Sequence, residues 1–227
     1  MSEPVTEVAY LPLKPSLDLS SGETKEAWQS ALRTIASQPG FKTGYWGKQI
    51  ENPDTLQLVI GDIPSLTIAR LNMHSNLPAY TPFLQILGDK ILGGSPTLIH
   101  MSFSSSSPTP PSESLSAPVT ECVNSFFEPT YDQSQYTTQF SQFGEKAAAI
   151  PDIEALGLAG GWGLEKLPHE SLGEGVEGSV FNIFIGWPTV EAHMEFRGTQ
   201  HFGEVMPLLR DGPKAMKMWH VAFENFE

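Results

Sequence analysis

Residues 121–129 read ECVNSFFEP, and residues 7–15 read EVAYLPLKP. Both stretches begin with a glutamate, continue with largely apolar residues on both faces and end at a proline, a pattern typical of a buried β-strand. Further motifs follow both stretches in one order: Tyr45-Trp46-Gly47 and Gly161-Trp162-Gly163, then Val59-Ile60-Gly61 and Phe184-Ile185-Gly186, then His100-x-x-Phe103 and His220-x-x-Phe223. These ordered matches indicate a diverged internal repeat.

Each copy of the repeat shows the same succession of hydrophobic periodicities. The first copy predicts a strand at 7–13, a helix at 23–37, strands at 42–49 and 55–60, a helical region at 65–92 and a strand at 97–103. The second copy predicts the same elements at 121–129, 136–150, 156–164, 179–185, 190–209 and 216–223. The order β-α-β-β-α-β is the ferredoxin-like arrangement, whose antiparallel sheet leaves one face to be covered. Two copies in one chain can therefore pack sheet against sheet.

A change in composition separates the two copies. Residues 104–118 read SSSSPTPPSESLSAP, with seven serines and four prolines. Such a segment buries too little apolar surface to offset its ordering entropy, so we predict an exposed linker. The predicted domains are 1–103, a first ferredoxin-like repeat, and 119–227, a second one, joined by the linker at 104–118.

The overall composition excludes several classes of protein. The 227 residues include 13 basic and 26 acidic side chains, a formal net charge of −13, and 40% are apolar. Nucleic acids and anionic membranes select for Lys/Arg clusters, so neither is expected as a partner. The chain has no 18-residue apolar run and its first residues lack a signal-peptide pattern, which favours a cytoplasmic location. The single cysteine allows no internal disulfide.

Two blocks carry a resemblance to a known group of proteins. Residues 59–87, VIGDIPSLTIARLNMHSNLPAYTPFLQIL, and residues 184–209, FIGWPTVEAHMEFRGTQHFGEVMPLL, resemble the dimeric α+β barrel superfamily. Within it they look most like the antibiotic-biosynthesis-monooxygenase group and its fungal relatives. The resemblance implies an α+β fold in which the two tandem units form an intramolecular, pseudo-dimeric barrel, with a pocket between sheet and helices in each unit. A homodimer of the fused repeats is compatible with it. Members differ widely in chemistry.

Histidines in the second helical regions are the first catalytic candidates. His201 occupies a position similar to one where polyketide cyclases of the superfamily carry an active-site histidine, although those have a His-Pro-x-His run and this chain has only the final His. His193 lies eight residues earlier, so both can share one helix face. Imidazole exchanges protons near neutral pH. In the first copy, His74 and Tyr80 form a second candidate pair. The alternative is that these are ordinary surface residues.

The last strands and the aromatic residues supply the remaining candidates. His100 and His220 lie at equivalent places and either project into a pocket or serve as structural, hydrogen-bonded residues. Pockets for small molecules are mostly apolar, so a set of aromatic residues is predicted to bind substrate, with core packing as the alternative: Tyr45, Trp46, Trp162, Trp187, Phe196, Phe202 and Trp219. The chain has no HExxH sequence, P-loop or dinucleotide fingerprint. We therefore expect neither a metal nor a cofactor.

The resemblance implies an enzyme that acts on a small, apolar, oxygenated metabolite of polyketide-like or aromatic character. We expect acid–base catalysis of a cyclisation, dehydration or isomerisation, in which His201 transfers the proton and His193 or a nearby tyrosine steadies the developing oxyanion. One alternative is a cofactor-free monooxygenase with a phenolic substrate. Another is a non-catalytic stress-response barrel that binds a small molecule, or haem through an axial histidine. The sequence does not separate these three functions.

Overall fold

A computed structural model of the chain describes residues 4–64, 85–103 and 107–227. These residues form a mixed α+β protein in which every described strand register is antiparallel. The chain divides into two compact units. The first unit is Met1–His100 with Glu224–Glu227, and the second is Met101–Phe223.

The elements of the described residues fall into two series along the chain. The first series is β1 (Pro4–Pro12), α1 (Gly22–Ala36), β2 (Thr43–Lys48), β3 (Thr55–Pro64), a π-helical turn (Leu87–Ile91) and β4 (Thr97–Phe103). A short helix, α2 (Pro111–Leu115), precedes the second series. That series is β5 (Val119–Phe127), α3 (Gln133–Ala148), β6 (Gly157–Gly163), β7 (Leu167–Pro168), a 3-10 turn (Glu170–Leu172), β8 (Glu177–Trp187), α4 (Val190–Arg197), α5 (Gln200–Val205), α6 (Pro207–Arg210), β9 (Ala215–Val221) and β10 (Glu224–Phe226).

The first unit contains the strands in the order β10-β2-β3-β1-β4. Its core forms because β1 and β3 alternate apolar side chains towards α1, whose buried stripe packs against them. Within the described residues the cluster is centred on Trp28, Leu32, Leu58 and Ile91. The edge of the Trp28 ring meets Trp46, with the ring centroids 5.4 Å apart.

The second unit pairs the end of β4 with β6 and continues in the order β6-β8-β5-β9, with β7 beside β8. Asp132 caps the N-terminus of helix α3 by accepting a hydrogen bond from the Ser134 backbone N–H. The helix buries Tyr136 and Phe140 against the sheet. Glycine is required at position 160 of β6 because a Cβ atom there would lie 2.6 Å from the ring of Phe140 and 2.7 Å from that of Phe181. The glycine-rich strand thus gives the aromatic core its space.

Most of the predicted strands and the two long helices are confirmed, with boundaries displaced by a few residues. The helical region predicted at 190–209 is confirmed, but it is not one continuous helix. Three short helices occupy it, because Thr199 accepts a hydrogen bond from the Phe202 N–H and so begins α5, and Pro207 begins α6. In the first copy, residues 65–84 of the corresponding helical region lie outside the described residues.

The segment predicted as an exposed linker contains helix α2. Leu115 and Ser114 are buried, and Ser114 accepts a hydrogen bond through its carbonyl oxygen from the Thr120 hydroxyl at 2.8 Å. The expectation of exposure is therefore wrong at these residues, because Leu115 is buried although the average composition of the segment is polar. The assignment of domains to 1–103 and 119–227, and the closing of the two units into one barrel, stay predictions.

Candidate functional site

A cavity of about 180 Å³ lies within the second unit, between the strands β5, β6, β8 and β9 and the helices α3 to α6. Strand alternation directs residues two apart to one face, so Glu121 and Val123 of β5 both reach the cavity. Residues three and four apart share a helix face, which brings His193, Phe196 and Arg197 of α4 to the same wall. The rest of the wall is almost entirely apolar and includes Phe143, Leu158, Ile185, Trp187, Phe202, Met206, Leu209 and Met216.

Three titratable side chains meet at this wall, two in its lining and one directly behind it. Glu121 and His220 are opposite each other in the β5–β9 pairing. The Nδ1 atom of His193 lies 2.8 Å from Nε2 of His220, and its Nε2 atom lies 3.3 Å from Oε2 of Glu121. Both histidines are buried, with 2% of their surface exposed. A strand pair and a helix thus hold a carboxyl and two imidazoles in one connected group, which we call the Glu–His–His network.

Burial sets the electrostatics of this network. It raises the pKa of the Glu121 carboxyl to about 7, against the lowering effects of a hydrogen bond from Trp187 and of the positive charge of Arg197. The carboxyl is therefore partly ionised at neutral pH. Each imidazole carries a donor on one nitrogen and an acceptor on the other, so a proton gained at one end of the network can be passed on to the next member.

Aromatic rings fix the orientation of His193. The ring of Trp187 stacks on it with a centroid distance of 5.1 Å and an interplanar angle of 22°. The indole N–H of Trp187 also donates a hydrogen bond to Oε2 of Glu121 at 3.1 Å. The aromatic wall continues from Trp187 to Phe196 and from Phe196 to Phe202, with centroid distances of 5.7 and 5.6 Å. Trp187 therefore positions two members of the network at once.

The structure brings several of the predicted site residues together. His193, Trp187, Phe196 and Phe202 line the cavity, and His220 lies directly behind His193. His201 has a different environment: it lies exposed on α5, with Nδ1 3.3 Å from Oε2 of Glu204. Among the residues that the structure describes, His201 is not part of the cavity wall. The idea that His193 and His201 share one helix is wrong, because the chain breaks between α4 and α5.

Other predicted residues lie elsewhere in the two units. Trp162 packs in an aromatic cluster with Phe127, Tyr136 and Phe181, and its indole N–H donates to Oγ1 of Thr137 at 3.0 Å. Trp219 is buried on β9 beside His220. The first unit contains three more of the predicted residues: Tyr45, Trp46 and His100. His74 and Tyr80 lie outside the described residues.

Three charged residues line the cavity and were not among the predicted site residues: Glu121, Arg197 and Arg210. The repeat contained a signal for the first, because Glu7 and Glu121 begin the matching strands just as His100 and His220 lie on the matching last strands. In the first unit the same pair is in contact, with Nε2 of His100 3.3 Å from Oε2 of Glu7. A carboxylate that recurs opposite a recurring histidine indicates an interacting pair.

Comparison with solved structures identifies the fold. The chain is similar to an anthrone oxidase-like protein, with a TM-score of 0.64, 9% identity and coverage of 99% of this chain and 93% of that one. It is also similar to a protein proposed to be a monooxygenase from Fusobacterium nucleatum, with a TM-score of 0.57, 12% identity and coverage of 98% and 93%. A protein proposed to be a chlorite dismutase has a TM-score of 0.55, 12% identity and coverage of 99% and 96%.

All of these proteins have the dimeric α+β barrel fold. At such low identity the likeness establishes the fold of the chain and leaves its activity to be argued from the site. No protein-family model matches the chain, and a comparison with curated proteins finds no match. None of the helices in the described ranges is long and apolar enough to span a membrane.

Haem binding through an axial histidine is one of the functions expected from the sequence, and the size of the cavity bears on it. A cavity of about 180 Å³ accommodates one aromatic ring, whereas a porphyrin has four pyrrole rings joined in one macrocycle. The two ring nitrogens of His193 also face His220 and Glu121, which leaves neither directed at an iron atom in the cavity. The described residues of this cavity therefore do not fit haem. In residues 4–64, 85–103 and 107–227, no group of three or more His, Cys, Asp or Glu side chains is arranged to hold a metal ion.

Proposed function

We propose that the chain is a cofactor-free, monooxygenase-type enzyme that binds a small phenolic compound in the cavity of the second unit. The observation that carries this proposal is the Glu–His–His network at a largely apolar cavity. The cavity volume suits a single aromatic ring. The names of the structural neighbours, which include monooxygenases and an anthrone oxidase-like protein, agree with this class of chemistry.

The first step that we propose is removal of the phenolic proton. Glu121 acts as general base, because a carboxyl with a pKa of about 7 is partly ionised at neutral pH and is basic enough to accept a proton. The proton then passes to His193, which lies 3.3 Å away and is held by His220. The resulting imidazolium stabilises the negative phenolate in a cavity that excludes most water.

The second step is the reaction of the electron-rich phenolate with O₂. One oxygen atom forms a bond to a ring carbon, and the other leaves as water with two protons from the substrate. The substrate becomes a quinone and supplies all four electrons that the reduction of O₂ requires. A phenol and O₂ thus give a quinone and water, and the reaction needs no separate reductant.

A second candidate function uses the same residues without oxygen. A carboxyl and an imidazole with exchangeable protons can act as general base and general acid in a cyclisation, dehydration or isomerisation of an enolisable substrate. The buried pair of histidines favours this candidate as well, because one can donate a proton while the other accepts one. The two candidates differ only in whether oxygen enters the product.

Labelling with ¹⁸O₂ separates the two candidates. The purified protein is incubated with a panel of single-ring phenols, and the products are analysed by mass spectrometry. We expect one ¹⁸O atom in the quinone product and one in water. Turnover that yields unlabelled product would overturn the monooxygenase proposal and favour the acid–base reaction.

Variants test the assignment of the residues. We expect Glu121→Gln and His193→Gln to lower kcat by roughly 10²-fold or more, the usual contribution of a general acid or base. The matched control is Glu7→Gln, which changes the equivalent glutamate of the first unit and should leave kcat unchanged. His201→Gln tests the residue predicted from the sequence. If it abolished turnover while His193→Gln remained active, our assignment would be wrong.

We also propose that the two units are diverged copies of one ferredoxin-like unit. Two observations support the duplication. The strand orders β2-β3-β1-β4 and β6-β8-β5-β9 correspond element by element. The Glu7–His100 contact of the first unit corresponds to the Glu121–His220 pairing of the second.

A further inference from the structure

We propose that the cavity binds an aromatic carboxylate, whose acid group is held by Arg197 and Arg210. This inference rests on the proposed function, because it names the class of phenolic compound that the same cavity takes. It arises from the distribution of positive charge around the cavity, which the proton-transfer steps above do not use.

Arginine is concentrated at this cavity. The chain has four arginines, Arg33, Arg70, Arg197 and Arg210, and two of them line the same cavity. They come from different helices, α4 and α6, yet both approach one ring: the guanidinium carbons lie 6.0 and 5.9 Å from the centroid of Phe202. In a chain with a net charge of −13, these two side chains place positive charge at the cavity.

The hydrogen-bonding groups of these two arginines are suited to an anion. Each guanidinium contacts the Phe202 ring through a cation–π interaction, which uses the charge and leaves N–H groups directed elsewhere. Within the part of the chain that the structure describes, Arg197 donates to the weak acceptor Sδ of Met194 at 3.7 Å. Neither arginine lies within ion-pairing distance of a carboxylate of the described residues. A guanidinium binds a carboxylate through two parallel hydrogen bonds, which these groups can supply.

The position of the arginines fits a ligand that is acidic at one end and phenolic at the other. Both arginine residues are exposed, so the acid group stays hydrated while the ring enters the apolar cavity. The charge of Arg197 is felt at Glu121. The anion-binding end and the proton-transfer end of the cavity are therefore close enough for one small molecule to occupy both. A hydroxybenzoate has this arrangement of groups.

Isothermal titration calorimetry with two probes tests the inference. The probes are 4-hydroxybenzoate and p-cresol, which has the same phenolic ring with a methyl group in place of the carboxylate. We expect the wild-type protein to bind 4-hydroxybenzoate at least roughly tenfold more tightly than p-cresol, as one charge-assisted hydrogen bond provides. Arg197→Gln and Arg210→Gln should each remove most of this advantage and leave the affinity for p-cresol within about twofold.

Arg33→Gln is the matched control, since it removes an exposed arginine from α1 in the first unit. Equal affinities for the two probes, or equal effects of all three variants, would overturn the inference, as would a wild-type protein that binds neither probe. Circular dichroism of each variant verifies that it is folded. Binding of 4-hydroxybenzoate that depends on both arginines, without any turnover, leaves this inference standing and contradicts the proposed function. Turnover of p-cresol with the same KM as 4-hydroxybenzoate contradicts this inference and leaves the proposed function standing.

Discussion

The buried carboxyl of Glu121 makes the stability of the protein depend on pH in a defined way. The carboxyl ionises near its ordinary pKa of 4.5 in the unfolded chain and near pH 7 in the folded protein, because burial disfavours the charged form. The folded state therefore binds this proton more tightly, and the contribution of Glu121 to the free energy of unfolding falls as the pH rises from 4.5 through 7. At about 1.4 kcal/mol per pH unit, the free energy of unfolding has lost about 3 kcal/mol of this contribution once the pH is above 7.

Glu121→Gln removes the ionisation and keeps the shape of the side chain. The free energy of unfolding is measured by urea denaturation for wild type and variant from pH 4.5 to 8.5. Subtracting one curve from the other cancels the titrating groups that do not interact with Glu121. We expect the free energy of unfolding of the variant, relative to that of the wild type, to increase by about 3 kcal/mol across this range. The midpoint of this change should lie between about pH 5 and 7.

The exposed Glu154 provides the control for this experiment, because Glu154→Gln makes the same chemical change at the surface. Its difference from wild type should stay within about 0.5 kcal/mol at every pH. A difference for Glu121→Gln that is equally flat, or one that changes in favour of the wild type as the pH rises, would refute the argument that burial controls this carboxyl.

Two further substitutions test the surroundings of the network and the core. Trp187→Phe removes the indole N–H that donates to Glu121 but keeps an aromatic ring, so we expect the pKa of the Glu121 carboxyl to rise by roughly one unit. The pKa is measured by ¹³C NMR of the labelled side chain, and a fall would contradict the hydrogen bond from Trp187. Gly160→Ala places a methyl group against the buried rings of Phe140 and Phe181 and should cost about 1–3 kcal/mol in urea denaturation. Gly203→Ala, at a helical position with open space, should be neutral or slightly stabilising, and equal effects of the two alanines would show that the predicted clash is absent.

The fold was predictable where local pattern and tertiary packing agree. Alternating or continuous apolar residues locate β1, β5 and β9 because each of these strands buries at least one face. Apolar residues recur at helical spacing through residues 190–209, so the pattern suggests one helix. The breaks come from the Thr199 cap and from Pro207. Both are signals of single residues, and the helical periodicity of the whole stretch outweighs them when the sequence is read alone. The helix at 111–115 escaped prediction because composition averages over the single residue, Leu115, that makes the packing contact.

The site was predictable only in part, because its central contacts join distant parts of the chain. The sequence indicates that His193 and His220 are candidates, but their contact depends on how α4 packs against β9. Glu121 joins the Glu–His–His network only through the β5–β9 register, which places it opposite His220. A shift of one residue would turn Glu121 to the other face of the sheet and remove it from the cavity. Strand patterns do not specify which strands become neighbours, and this uncertainty is the physical reason why the glutamate was missed.

The recurrence of the Glu–His pair distinguishes what belongs to the fold from what belongs to the site. In the first unit Glu7 and His100 lie 3.3 Å apart with side-chain exposures of 14% and 5%, so the fold alone places a carboxyl beside an imidazole on a buried strand face. In the second unit His193 contacts both members of the equivalent pair and connects them to the cavity wall. The structural interpretation of the strand histidines therefore accounts for their repetition, and the proposed chemistry depends on the additional histidine on α4. On this argument His193→Gln should affect turnover far more than His100→Gln, although both histidines are almost completely buried.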